Sequence, residues 1–244
     1  MRFKILGKGS GMPELGKKHS CIYINQDKYN YLIDCGEGTS QAFLENNFDP
    51  NLIDFIVISH FHPDHISGIY MLIQMLYLKK RTKTLYLYLP ENLDFFLKSL
   101  DMFYLFSKRM SYQVEINNIT ALNTFYPKIF ANKNDHLKGY KSFVEQNQLN
   151  NELISYSIKI EEQNEFFVYT SDISSTASVM DFIMNSNICI VDAMHPSINE
   201  LQELKHVIKN QIILTHCQEE LFKDLIHREK KFELADDKKF YNFN

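Results

Sequence analysis

Two kinds of hydrophobic pattern alternate along the chain. Short β-branched or aliphatic runs, Asp54–Ser59, Leu85–Leu89, Ile188–Val191 and Gln211–Thr215, predict strands buried on both faces. Ser155–Glu161 alternates strictly, with Tyr156, Ile158 and Ile160 opposite Ser157, Lys159 and Glu161. Phe166–Thr170 follows after the turn at Gln163-Asn164, which predicts a hairpin. A second pair, Ser20–Asn25 and Tyr29–Asp34, brackets the turn Gln26-Asp27-Lys28. Arg2–Leu6, Tyr112–Ile116 and Thr124–Ala131 complete the expected strands. Between them lie stretches that read as helices: Glu37–Asn46, His65–Lys80, Glu91–Leu100, Ser175–Met184, Ile198–Lys209 and Glu219–Lys231. Residues 232–244 are polar and aromatic and read as a tail. Strands alternating with helices, plus a hairpin in each half, predict an α/β fold of two mixed sheets with helices outside. No repeat or Pro/Gly/Ser-rich linker interrupts the 244 residues, so a single domain over 1–244 is expected.

Composition narrows the class. Hydrophobic residues make up 45% and charged residues 23%, which is globular. With 26 Lys+Arg against 30 Asp+Glu the net charge is −4, which argues against coating nucleic acid through bulk positive charge. Cys21, Cys35, Cys189 and Cys217 are far apart and form no CxxC, so reduced thiols and a cytoplasmic location are expected. The opening MRFKILGKGSGMP has no apolar signal core. The most apolar helical stretch, Ile66–Leu78, is far shorter than the ~20 residues of a membrane span, so no membrane partner is expected. The basic run Lys79–Lys83 reads as a solvated helix end.

The chemistry concentrates in Ser59-His60-Phe61-His62-Pro63-Asp64-His65, four metal-ligating side chains directly after a buried strand. Alternate residues leaving a strand point the same way, so His60 and His62 can hold one cation together. The turn into the next helix redirects Asp64 and His65 toward a second cation. Asp34, Asp172 and His216 each end a strand, and His136 stands at a further strand exit. Loops at one sheet edge are where a rigid scaffold carries function. GKGSG is not a phosphate loop, because no Gly-Lys-Ser/Thr opens a helix there.

With LGKGSGMP, DCGEGTSQ, HFHPDH, YTSD and ILTH in this order, the chain resembles the metallo-β-lactamase superfamily over nearly its whole length, and within it the ribonuclease Z and related phosphodiesterase branch. The resemblance implies an αββα sandwich with two divalent metals, zinc first and manganese or iron as alternatives. It implies that His60, His62 and His136 bind one ion, that Asp64, His65 and His216 bind the other, and that Asp172 bridges them. Asp34 would orient the motif loop without binding metal. Lys17, Lys18 and His19 fall where relatives contact substrate. His195, on the same expected edge, either protonates the leaving group or caps the helix that starts near Ser197. Asp64 and His195 are the expected catalytic pair.

Four departures accompany the resemblance. Where ribonuclease Z carries a His-Glu-Ala-Thr segment after the next strand, this chain has Val191-Asp192-Ala193-Met194-His195, with Asp192 at the Glu position and Val191 at the His position. Ser171 stands where the family usually has Gly before the bridging Asp. Residues 137–154 form an insert near the site, either a cover or a surface helix. The long Gly/Pro-rich arm that grips transfer RNA has no counterpart. The implied activity is hydrolysis of a nucleotide or nucleic-acid phosphodiester by a hydroxide between two metals, with a homodimer as the implied assembly. Two alternatives are acyl (lactone or thioester) hydrolysis on the same metals and nucleotide binding without turnover.

Overall fold

The computed structural model describes residues 1–243. The chain divides into two compact units, Met1–Ala121 with the C-terminal segment from Asp237, and Leu122–Asp236.

The first unit is built on β1 (Arg2–Gly7), β2 (Cys21–Gln26), β3 (Tyr29–Ile33), β4 (Phe55–Val57), β5 (Leu85–Leu89) and β6 (Val114–Asn118). They lie side by side in chain order, and the C-terminal strand Tyr241–Asn242 adds to the outer edge of β1. The pairings of β1, β2 and β3 are antiparallel; those from β3 to β6 are parallel. Parallel neighbours need crossovers. These are α1 (Thr39–Glu45), then α2 (Pro63–Ile66) with α3 (Ile69–Leu78), then α4 (Leu93–Met102). Leu32, Ile56 and Leu87 of the strands form one core with Phe43, Leu72, Leu76 and Phe96 of these helices.

The second unit carries β7 (Ile129–Lys133), β8 (Tyr156–Glu162), β9 (Glu165–Tyr169), β10 (Ile188–Asp192), β11 (Gln211–Thr215) and β12 (Phe232–Leu234), again in chain order. The hairpin β8–β9 and the pair β7–β8 are antiparallel; β9 to β12 are parallel. Val168, Val191 and Leu214 meet Ile183, Leu201 and Leu225 in its core. The α/β class and the two mixed sheets expected from the sequence are both present.

Local differences have physical causes. The expected helix over 65–80 is broken at Ser67-Gly68. The Gly68 N–H donates to Cys35 O at 2.9 Å, and a Cβ on Gly68 would stand 2.0 Å from Gly36 O, so the backbones are in contact there. The expected strand over 124–131 begins late. Leu122–Phe125 winds one helical turn, Tyr126 N bonds Leu122 O, and Pro127 precedes β7. Residues 232–243 are not a tail: Phe232–Leu234 pairs with β11, and Tyr241 stacks on Phe3 at 4.8 Å. Asn244 lies outside the described residues. Arg81 is not solvated. Its guanidinium is buried and donates to the carbonyls of Asn51, Ile53, Lys83 and Thr84, so it ties two loop segments together. Among the described residues no helix is long and apolar enough to cross a membrane.

Candidate metal centre

In the first unit the donors follow β4. Ile58–Phe61 leave the strand without regular structure, His62 is extended, and Pro63 starts α2, fixing the turn that separates His62 from Asp64 and His65. The loop is held from below by Asp34, which is fully buried at the end of β3. Its Oδ1 accepts Ser59 N (2.8 Å), and its Oδ2 accepts Ser59 Oγ (3.0 Å) and lies 2.7 Å from His65 Nδ1. That contact fixes Nδ1 as the protonated nitrogen of His65 and leaves Nε2 as the atom it could offer a metal. Ser59 Oγ stands 3.1 Å from His60 Nδ1 and selects the same tautomer there. One donor atom of His60 lies within 4.8 Å of one of His62, and the same holds for Asp64 and His65. Gly36 lets this loop in: a Cβ on it would fall 2.1 Å from Asp64 O.

In the second unit Asp172 follows β9 and lies between two imidazoles. His136 Nε2 is 3.6 Å from Oδ2, and His216 Nε2 is 3.7 Å from Oδ1. These distances are long for hydrogen bonds. They suit two ligands on a common ion, since donors ~2.1 Å from a tetrahedral metal sit about 3.4 Å apart. One carboxylate thus presents a different oxygen to each histidine, as a bridging ligand does. The loops are tied together. Asn134 Oδ1 accepts His136 N and its Nδ2 donates to Thr170 O, while Asp135 Oδ1 accepts Ser174 N.

Both units use the same device. Asp192, fully buried at the end of β10, accepts Met194 N on Oδ1 and Ile173 N on Oδ2, and its Oδ2 lies 2.6 Å from His195 Nδ1. It therefore orients His195 and the backbone just after Asp172 at once. His195 does not cap the following helix. Ser197 does that, in a reciprocal capping box with Glu200. The His195 side chain is 40% exposed and its ring lies 4.9 Å from that of His136. Asn134 is a positioning residue that the sequence reading did not single out, and Asp192 was placed there only by the resemblance, at the Glu of the His-Glu-Ala-Thr segment. Asp192 had a signal, an aspartate ending an all-apolar run just as Asp34 does.

Three strand exits carry positive φ: Asp34 (62°), Ser171 (54°) and His216 (56°). Left-handed backbone at residues with a Cβ costs about 1 kcal/mol each and clusters where loops are forced into functional shapes. It explains the Gly usually found at position 171. Ser171→Gly is therefore expected to raise stability by up to ~1 kcal/mol. Denaturant melts and metal content check this; a loss of stability would show that the serine side chain outweighs the strain.

The remaining expected site residues are not among the metal-donor groups. His19 is buried, with Nδ1 3.5 Å from Glu37. Lys17 and Lys18 pair with Glu14 (2.9 Å) and Glu45 (2.5 Å), and both line a cavity that includes none of the metal-donor candidates. The 137–154 insert is a short 3-10 segment (His136–Tyr140) and an exposed helix (Lys141–Gln146).

Sheets of this order, with imidazole and carboxylate donors at their strand ends, define a metallo-β-lactamase fold. Within it, the profile of the Anti-Pycsar protein Apyc1 family matches residues 1–241, and the chain belongs to that family. It is also similar to ribonuclease Z. One from Porphyromonas gingivalis is 38% identical over 117 residues, covering 48% of this chain and 38% of that protein. The chain thus spans under half the length of the curated relatives it matches. Two solved structures share the fold. A diphosphatase from the PhnP family has a TM-score of 0.73 and 18% identity, covering 100% of this chain and 98% of that one. The short form of human tRNase Z has 0.69 and 16%, with complete coverage of both.

Proposed function

We propose that this chain is a dinuclear metal-dependent hydrolase that cleaves a phosphodiester in a nucleotide or nucleic acid, with residues 1–244 acting as one catalytic domain. His60, His62, His136 and Asp172 would hold one divalent ion, and Asp64, His65, Asp172 and His216 the other. The observation that carries the reading is Asp172, whose two oxygens face His136 and His216 separately. Imidazole mixed with carboxylate suits zinc first. Such ions, when bound, supply a nucleophile at neutral pH and offset charge at the attacked phosphorus.

The chain's own residues do the rest. Asp172 sets the spacing of the two ligand groups, and Asp64 orients the attacking oxygen. Asp34 and Ser59 hold His65 and His60 in the ligating tautomer. His195, with Nδ1 on Asp192, keeps Nε2 for handing a proton to the leaving alkoxide. Ribonuclease Z similarity supports the phosphodiester class. Lack of a Gly/Pro-rich arm favours a small nucleotide over transfer RNA. The exposed aromatics Phe95, Phe103 and Tyr104 support a homodimer, and the reduced cysteines a cytoplasmic setting.

A parallel assay of the metal-loaded protein tests this. The panel is bis-(p-nitrophenyl) phosphate, a cyclic mononucleotide, a linear dinucleotide, precursor transfer RNA and a thioester. Turnover is expected on the small phosphodiesters and lost on chelation. Turnover of the thioester alone would replace the reading by acyl hydrolysis. Tight nucleotide binding with full metal and no turnover would replace it by a binding role.

A further inference from the structure

The first unit contains a cavity of about 640 Å³ bordered by β1, the loop before β2, α1 and the segment after Asp236. Its charged lining is Lys4, Lys17, Lys18 and Lys238 against Glu45 and Asp237. Four ammonium groups line it with two carboxylates, and Glu14 pairs with Lys17 at 2.9 Å, which leaves an excess of one positive charge in a chain whose net charge is −4. A concave wall with an excess of positive charge concentrates anions.

Lys4 is the informative residue. It lies within β1, is only 4% exposed, and lines the cavity beside Leu6. Its ammonium stands 5.3 Å from the centre of the Phe240 ring. Among the described residues it has no carboxylate partner and no hydrogen-bond acceptor. Lysines this buried are nearly always paired. An aliphatic side chain would pack on Leu6 without the cost of an unmatched charge. A negative group entering the cavity would supply the missing partner.

The size and the amides narrow that group. The volume lies within the range of small-molecule sites. Gln41 Nε2 donates to Glu45 Oε1 (2.9 Å) and Asn46 Nδ2 donates to Ala42 O (2.8 Å). Both residues line the cavity, and each amide spends one donor on the protein while its carbonyl oxygen takes no part in those bonds. Two such acceptors suit the exocyclic amine of a base.

We propose that this cavity is a binding site for a nucleoside monophosphate, with its phosphate on Lys4 and Lys238 and its base amine against Gln41 and Asn46, distinct from the metal donors. The proposal does not depend on the hydrolase reading.

Calorimetric titration of the full chain tests it, with metal loaded and after chelation. The probes are cytidine 5′-monophosphate, cytidine and inorganic phosphate. One cytidine monophosphate site is expected in both states, with phosphate weaker and cytidine without measurable binding. Lys4→Met keeps the buried aliphatic volume, and Lys238→Glu sits at the rim. Each is expected to raise Kd about tenfold or more, the effect of losing one charge-assisted bond. Thermal melts confirm that both variants fold. No saturable binding after chelation overturns the proposal, because any remaining binding then belongs to the metals. An unchanged Kd in both variants overturns it as well. Cytidine binding as tightly as its monophosphate removes the phosphate assignment, and inorganic phosphate binding as tightly as the nucleotide removes the base.

Discussion

Asp172→Ala is expected to abolish measurable phosphodiesterase turnover and to leave the purified protein with less than its full metal complement. The side chain is buried and its two oxygens lie 3.6 and 3.7 Å from two different histidines, so it is placed to serve two ions at once. Loss of a bridging carboxylate removes a ligand from both. Metal assistance contributes several kcal/mol to hydrolysis, and each 1.4 kcal/mol is a factor of ten. A loss of about 10³-fold or more follows from removing it. His62→Ala removes a ligand from one ion only. It is expected to lose activity to a similar degree while retaining more metal than Asp172→Ala, as elemental analysis would show. Circular dichroism separates this from unfolding, since alanine at either position removes a polar group from the loops beyond the strands and leaves both apolar cores intact. If either variant turns over near the wild-type rate, the ligand assignment is wrong.

The donor candidates were legible in the sequence because metal ligation imposes spacing. His60, His62, Asp64 and His65 lie within six positions, and no other role asks for such a run. Strand-end placement picked out Asp34, Asp172, His136 and His216, because strands that run in the same direction deliver their last residues to one sheet edge. The central strands were legible for the same reason that they are buried: Phe55–Val57 and Gln211–Thr215 have no polar face to obscure them. What was not legible depends on tertiary partners. Arg81 looks like the end of a basic helix, and only the carbonyls of two loop segments around it make it a buried residue. Tyr241 looks like part of a polar tail until Phe3 offers a ring to stack on. Lys17 and Lys18 sit in the right loop for substrate contact, yet the backbone turns them toward Glu14 and Glu45. Asp192 shares the strand-end signal of Asp34, but its importance rests on accepting from Ile173 N and holding His195, two contacts that sequence spacing does not announce.

The pairing of His195 with Asp192 leads to the second large effect, one that depends on the leaving group. If His195 protonates the departing alkoxide, His195→Ala should slow hydrolysis of a nucleoside phosphodiester by about 10²–10⁴-fold. The same change should barely affect bis-(p-nitrophenyl) phosphate, whose nitrophenolate leaves without a proton. Metal content should not change, and the fall should appear in kcat more than in KM. The limb of the pH–rate profile that reports the acid should vanish on the nucleotide substrate. Asp192→Asn should do more. The asparagine carbonyl can still accept Met194 N, but its amide would face the Ile173 N–H and lose that acceptor, so the backbone beside Asp172 loosens as well. That variant is expected to lose metal along with turnover, on both substrates. The two variants thus separate proton delivery from site positioning. Loss of metal in His195→Ala would make His195 a ligand in place of His136, and equal loss on both leaving groups would remove it as the acid.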